Sequence, residues 1–273
     1  MFLPVQVFSS EPAVDNRNFI KYLFMNKRYF DAVSEARRYQ YYSKKSEMDY
    51  FINVCYYKGE QYGTVIKNIN RFNYNGSMDM SELLSYSLIK LNYYDPAYDR
   101  AKKIKYNKVD AKRIFRMRYL PLVKSRKFRL LREEVNEAAK YLHNDSNFFL
   151  LRKELLEFSE LRLHSPFLSS ISSAIIPGSG QIYSGKYMDG VISLASVVST
   201  FAGGLYLRKH DREGYGNTML FFCGLFYAGN IYGAYNSAIS YNEGMINNKE
   251  NNLYRITPAF NPEENIDLNE LLK

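Results

Sequence analysis

"PGSGQIYSGK", Pro177 to Lys186, sits between two apolar segments, and its reading decides what the C-terminal half of this chain is. From Gly180 the letters GQIYSGKY follow the spacing of a phosphate-binding loop, GxxxxGK[ST], in which backbone N–H groups cradle phosphate and a final hydroxyl holds Mg²⁺. Tyr187 stands where that Ser or Thr belongs, and no aspartate-ended apolar strand offers a second metal contact. Gly178-Ser179-Gly180 also falls short of a dinucleotide fingerprint, because Tyr183 takes the place of the third glycine. The alternative is a sharp bend between helices in lipid. Pro177 and three glycines let the backbone turn where its freed polar groups reach water or protein. The apolar helical surroundings favour the bend.

Those surroundings show in the charges. The 273 residues are 24% charged with a mean hydropathy of -0.39, figures that suit a soluble protein. The average hides segregation: residues 1–164 hold 30 Lys+Arg against 19 Asp+Glu, residues 165–242 hold 4 against 3, and residues 243–273 hold 3 against 6. Residues 165–185, 190–207 and 214–242 carry no charge at all. "GVISLASVVSTFAGGLYL" (190–207) is about 27 Å long as a helix, near the roughly 30 Å of a hydrocarbon core, and "NTMLFFCGLFYAGNIYGAYNSAISY" (217–241) is longer. Two transmembrane helices are expected here, in a membrane domain spanning 164–242. Small residues recur every fourth position, Ala195, Ser199 and Gly203 on the first helix (with Ser196, Thr200 and Gly204 beside them) and Gly229, Gly233 and Ser237 on the second. Helices in lipid associate through such faces. Asn230 and Asn236 are expected to point at that interface or at the first uncharged segment, since an amide facing lipid is costly.

With these residues in view, "SPFLSSISSAIIPGSGQIYSGKYMDGVISL" resembles the membrane hairpin family typified by TM2-type domains. It is closer to bacterial membrane proteins carrying P-G-x-G-Q-x-Y-x-G-x-x-x-D-G before two apolar helices. Pro177, Gly178, Gly180, Gln181, Tyr183, Gly185, Asp189 and Gly190 match that signature, and "GNIYGAYNSAISYN" (229–242) resembles the family's second block. The resemblance implies an integral membrane module, located in the bacterial inner membrane and without a defined activity. Asp189 is expected to cap the following helix through its carboxylate. Tyr183 suits the headgroup level.

Residues 15–163 read as helix after helix with a repeat. "YLFMNKRYF", "VCYYKGEQY", "YSLIKLNYY" and "LPLVKSRKF" superpose, placing Phe30, Tyr62, Tyr94 and Phe128 at 32-, 32- and 34-residue spacings. Each block ends one apolar helix and opens a second, with core spacing at Ala32, Val33 and Ala36 and at Leu131, Val135, Ala138 and Leu142. Helix pairs at about 34 residues are the tetratricopeptide period, and the segment resembles a degenerate array of that kind, with Gly59 of "KGEQYGTV" at the tight turn. The expected fold is therefore all-α: an antiparallel helical-repeat solenoid followed by a small membrane hairpin. Such an array offers a concave face to a protein or peptide.

Between Arg100 and Arg132 there are 14 Lys+Arg and one acid, Asp110. Lys112, Arg113, Arg116, Arg118, Lys124, Arg126 and Lys127 form a basic patch that would attract anionic lipid or nucleic acid, or simply face water beside a membrane. No nucleic-acid-binding motif accompanies it. Cys55 and Cys223 read as buried thiols, and His143, His164 and His210 have no ligand spacing, so no metal or cofactor is implied. Residues 1–14 are apolar but lack a basic n-region, and read either as the remnant of a signal peptide or as a frayed apolar terminus. The acidic tail, 243–273, ends in an amphipathic "IDLNELLK" and has the opposite charge to the repeats, on which it could dock. Arg208, Lys209 and Arg212 between the apolar helices place that connection in the cytoplasm and the repeats in the periplasm. The function expected is a non-enzymatic, membrane-anchored scaffold or adaptor that binds a protein or peptide at the cell envelope. Lipid or nucleic-acid binding through the basic run, and a nucleotide-using enzyme, stand as the alternatives.

Overall fold

The computed structural model describes residues 15–43, 48–72, 77–257 and 259–266. The apolar segment 1–14, with its signal-peptide reading, and residues 267–273 of the amphipathic end lie outside them. Among the described residues there are thirteen α-helices and no strand. They divide into two compact units, 1–155 with 257–273, and 156–256. The tail expected from residue 243 is thus shared: its first part continues a helix of the second unit, and its last part belongs to the first.

The first unit holds helix pairs α1/α2 (Asp15–Met25, Tyr29–Ser43), α3/α4 (Asp49–Lys58, Tyr62–Phe72), α5/α6 (Met78–Lys90, Tyr94–Lys103) and α7/α8 (Ala111–Lys124, Phe128–Leu142), then the start of α9 (Ser146–Ser159). Within each pair the helices pack on one another; α5 also packs on α3 and on α7. One turn, written four times, makes the pairs. Lys27, Glu60, Asn92 and Arg126 each adopt a left-handed φ of 56–62°. The N–H of the next residue then reaches back five positions: Arg28 to the Leu23 carbonyl, Gln61 to Tyr56, Tyr93 to Leu88 and Lys127 to Leu122, at 2.8–3.0 Å. This is the Schellman closure, which satisfies carbonyls that a helix end leaves unpaired.

Two residues beyond each left-handed residue the next helix starts on an aromatic: Tyr29, Tyr62, Tyr94 and Phe128. The first repeat is therefore registered on Tyr29, one residue before the Phe30 chosen from the sequence. Gly59 is not the left-handed residue either, since Glu60 takes that role. A Cβ at 59 would lie 2.9 Å from the tip of the Phe30 ring, which would have to shift. The apolar positions expected in the second helices, Ala32, Val33, Ala36, Leu131, Val135, Ala138 and Leu142, are all buried, alongside Phe51, Leu83, Ile114 and Leu122. Each large side chain removed from water in this way contributes about 1.5–3 kcal/mol.

The second unit contains α10 (Pro166–Ile175), the single turn α11 (Ser179–Tyr183), α12 (Tyr187–Lys209) and the 44-residue α13 (Glu213–Ile256). Ser165 caps α10 by accepting the Leu168 N–H at 3.3 Å. Among the described helices α12 alone is long and apolar enough to cross a membrane, at roughly 35 Å and with a mean hydropathy of 1.6 in its most apolar window. The expected second span, 217–241, forms part of α13 and does not reach that hydropathy, because asparagines and tyrosines dilute its apolar residues.

The two long helices run antiparallel and touch along a line one residue round from the expected stripe. Ala195 and Ser199 are exposed, whereas Val197 and Gly204 are buried. Gly203 faces the Met219 side chain. The closest approach lies near the tip, where a Cβ on Gly216 would come within 2.8 Å of the Gly204 carbonyl. On α13, Asn230 and Ser237 are buried, Asn236 is half-buried, Gly233 approaches the Gln181 amide, and Gly229 meets nothing within 4 Å. α12 carries two adjacent stripes of small residues. The contact of Gly190 with Gly178 at its base selects which of them faces inward.

Candidate functional site

In the second unit the Pro177–Gly190 turn is packed against buried polar side chains from three helices. Asn230 of α13 accepts the Gly178 N–H on Oδ1 (2.8 Å) and donates from Nδ2 to the Ser173 carbonyl (2.9 Å). Gln181 donates to the Asn230 carbonyl (2.9 Å), and its Oε1 accepts the Ser173 hydroxyl (2.9 Å). Ser173 Oγ in turn accepts the Gly180 N–H at 2.9 Å. The Ser169 hydroxyl reaches the carbonyls of Gly180 (2.9 Å) and Ala234 (2.8 Å). Every partner is buried, so each bond is made where water cannot replace it. The glycines are steric necessities. Gly178 has a φ of 88° and its Cβ would fall 2.0 Å from the Gly190 carbonyl oxygen; a Cβ on Gly180 would fall 2.0 Å from that of Ser169.

Gly185, at a φ of 78°, closes α11 with the same hydrogen-bond pattern as the four turns of the first unit. Its N–H bonds the Ile182 carbonyl (2.9 Å), that of Lys186 bonds Gln181 (2.9 Å), and α12 again begins on an aromatic, Tyr187. The N–H of Ser184 bonds Gly180 at 3.1 Å. The three amides that a phosphate cradle would need are thus consumed by helix closure. Lys186 is the N-cap of α12, with no side-chain cap bond, and Asp189 lies exposed in the first turn, so the expected Asp189 cap is absent. Its carboxylate is placed to complement the positive end of the helix dipole. Tyr183 stacks near His164, whose ring also lies parallel to Tyr241 at 4.2 Å. Asn242 exchanges two hydrogen bonds with the His164 backbone, at 2.7 and 2.8 Å, tying the start of this segment to α13.

In the first unit the notable surface is the one shared by α3, α5 and α7, and it is occupied by the chain's own tail. The Phe260 ring stacks on Tyr86, with centroids 3.8 Å apart and planes 1° apart, and meets Tyr57 edge-on at 5.7 Å. Tyr50 donates its hydroxyl to the Pro262 carbonyl at 3.2 Å. Lys58 pairs with Glu263 at 2.5 Å, and the Tyr119 hydroxyl lies 2.8 Å from that of Thr257. Burial pushes the Tyr50 phenol up to about 12, and raises Tyr57 and Tyr86 as well. All three are neutral at physiological pH.

Comparison with family models, curated proteins and solved structures gives no match to this chain. The reading of both surfaces rests on their chemistry.

The basic run is placed differently from what its charge suggests. Arg118 is buried: it bonds Glu134 at 3.0 Å, donates to the Ile104 carbonyl at 2.7 Å and covers the Tyr106 ring at 4.3 Å. Tyr98 adds a 2.8 Å bond to the same Glu134. Arg113 holds Asp79 and Glu82, Lys112 holds Asp145, and Lys127 holds Asp95. Lys124 and Arg126 have partners too, and Arg116 lies beside Tyr86. Lys112, Arg113, Arg118 and Lys127 are thus paired with acids outside their own helix, which no local charge count could reveal. Burial raises the Glu82 carboxyl despite the neighbouring Arg113. Among the described residues no three His, Cys, Asp or Glu side chains converge as a metal site. Cys55 and Cys223 are buried free thiols.

Proposed function

We propose that this chain is a membrane-anchored helical-repeat scaffold: the second unit holds it in a lipid bilayer, and the first binds an extended segment of a protein or peptide. The observation that carries the anchor is the polarity of the second unit. Phe167, Phe201 and Phe221 are 69%, 52% and 65% exposed, with Val191, Ile192, Val198, Leu205 and Leu225 beside them, while Ser169, Ser173, Gln181 and Asn230 are no more than 4% exposed. Water gives no reason to expose such an apolar surface, since soluble monomers rarely carry patches beyond a few hundred Å². A bilayer does. α12 crosses it, and the uncharged first two thirds of α13 return beside it, with Asn230 turned away from lipid. The resemblance of Pro177–Gly190 to TM2-type membrane modules fits this reading, because Gly178, Gly180, Gln181, Gly185 and Gly190 serve one turn.

The binding function is supported by the tyrosine-rich face of α3, α5 and α7, which already holds a non-helical stretch by stacking, a backbone bond and an ion pair. With Arg208, Lys209 and Arg212 at the tip of the helix pair, the positive-inside rule puts the repeats on the outer side of a bacterial inner membrane. Two measurements test the proposal. Without detergent the full chain is expected in the membrane pellet after alkaline extraction and ultracentrifugation; a folded, monodisperse supernatant species rejects the anchor. Protease added to intact spheroplasts is expected to cut the repeats; protection of the repeats until lysis would reverse the topology and with it the class of partner.

A further inference from the structure

We infer that the face of α3, α5 and α7 recognises a segment of the form Phe-x-Pro-Glu, and that the chain's own Phe260-Asn261-Pro262-Glu263 is a resident occupant which a partner segment of that chemistry displaces. This deepens the scaffold reading and rests on it.

Three features mark the tail as a ligand rather than a part of the core. Its described residues from 259 to 266 form a single 3-10 turn, Pro262–Asn265, opened by Asn261, whose side chain accepts the Glu263 N–H. Its anchors are those of peptide recognition, one aromatic in an aromatic slot, one backbone carbonyl and one charge, each from a different residue of a four-residue stretch. The tail also lies at the edge of the helical core and not at its centre: Phe51 and Leu83 are fully buried, whereas Phe260 and Ile266, which pack against that core, are only partly buried and Ala259, Glu264 and Asn265 are exposed.

The specificity follows from the contacts. Tyr86 and Tyr57 form a slot for a flat ring, which an aliphatic side chain would fill without the stacking gain. Tyr50 reads the Pro262 carbonyl, and proline suits that buried position because it has no backbone N–H that would need a partner there. Lys58 selects an acid at the last position. Because the tail is tethered, its effective concentration at the face is in the millimolar range, so a free segment of equal intrinsic affinity competes poorly until the tail is weakened.

The test uses the full chain in detergent and a fluorescent synthetic peptide, RITPAFNPEENIDL, copied from residues 255–268. Wild-type protein is expected to bind it weakly. Phe260→Ala protein, whose tail has lost its ring, is expected to bind the wild-type peptide roughly tenfold or more tightly by anisotropy, while a peptide with the same Phe→Ala change binds neither. Glu263→Lys on the chain, a change at a half-exposed position, gives the same gain and serves should Phe260→Ala lose helical content. Tyr86→Ala placed on the Glu263→Lys background removes the binding. Equal affinities for wild-type and tail-weakened chains, or no binding to a tail-weakened chain of unchanged circular dichroism, overturn the inference. Either result leaves the membrane-pellet experiment untouched, so the two readings fail separately.

Discussion

In residues 15–155 the buried set is led by large apolar side chains such as Phe51, Leu83, Ile114, Phe115 and Leu122, with Arg118 and Glu134 among them; in residues 156–256 Ser169, Ser173, Gln181 and Asn230 are buried together, beside mostly small apolar residues such as Ala234 and Ala238. Both units use the same closure, a left-handed residue with a five-back hydrogen bond and an aromatic two positions on, at Glu60–Tyr62 in one and Gly185–Tyr187 in the other. The turn is thus common to the two units, and the burial pattern differs between them. In water, apolar burial drives helix pairs together, and small imperfections in polar pairing are absorbed by solvent. In lipid that drive is absent, and association falls to close packing and to hydrogen bonds with no competing water. On the proposed membrane reading, the glycine-dense turn and the Ser-Gln-Asn network answer the second mode. Positive φ outside glycine occurs in both units, at Lys27, Glu60, Asn92 and Arg126 in the first and at Asp211 between α12 and α13 in the second, so what sets the glycine-rich turn apart is the crowding at Gly178 and Gly180 and not the closure itself.

This contrast can be broken experimentally, most sharply at the glycines. Gly180→Ala drives a Cβ to 2.0 Å from the Ser169 carbonyl oxygen and disrupts the polar network at its centre. More than about 4 kcal/mol is expected to be lost, enough to prevent folding of the second unit, visible as loss of its cooperative transition in detergent. Gly229→Ala, on the same unit but in open space, is expected to stabilise α13 by about 0.5–1 kcal/mol. If the two variants behave alike, the turn is not locked as described.

A second prediction concerns the one strongly ionic core of the first unit. Arg118→Met leaves Glu134 buried without its cation and is expected to cost about 3–5 kcal/mol in thermal or denaturant unfolding. Adding Glu134→Leu is expected to recover most of that. A single variant with near-wild-type stability would mean that the pair is solvated.

The smallest effect is pH-dependent. Asp145 pairs with Lys112 and accepts the N–H groups of Asn147 and Phe148 at the start of α9; Lys112 first, then the backbone bonds, hold its carboxyl below the usual range. A depressed folded value contributes stability above the unfolded carboxyl value of about 3.9 and loses it as pH falls through the lower folded one. Asp145→Asn is therefore expected to destabilise by about 1 kcal/mol at neutral pH, with the difference from wild type shrinking below about pH 4.

What the sequence determined alone is the class and the division. Charge segregation set off 165–242, helical periodicity placed Ala32, Val33, Ala36, Leu131, Val135, Ala138 and Leu142 in cores, and the spacing of aromatics showed helix pairs, because these signals are local and repeat along the chain. Residues far apart in the chain were illegible. The sequence could not show that Asn230 completes a turn fifty residues earlier, that Arg118 and Lys112 are neutralised by Glu134 and Asp145, which of two adjacent small stripes on α12 faces inward, or that Phe260 lies between Tyr57 and Tyr86. Each of these depends on the angle at which one helix leaves its turn and meets another, and that angle is set by packing in three dimensions.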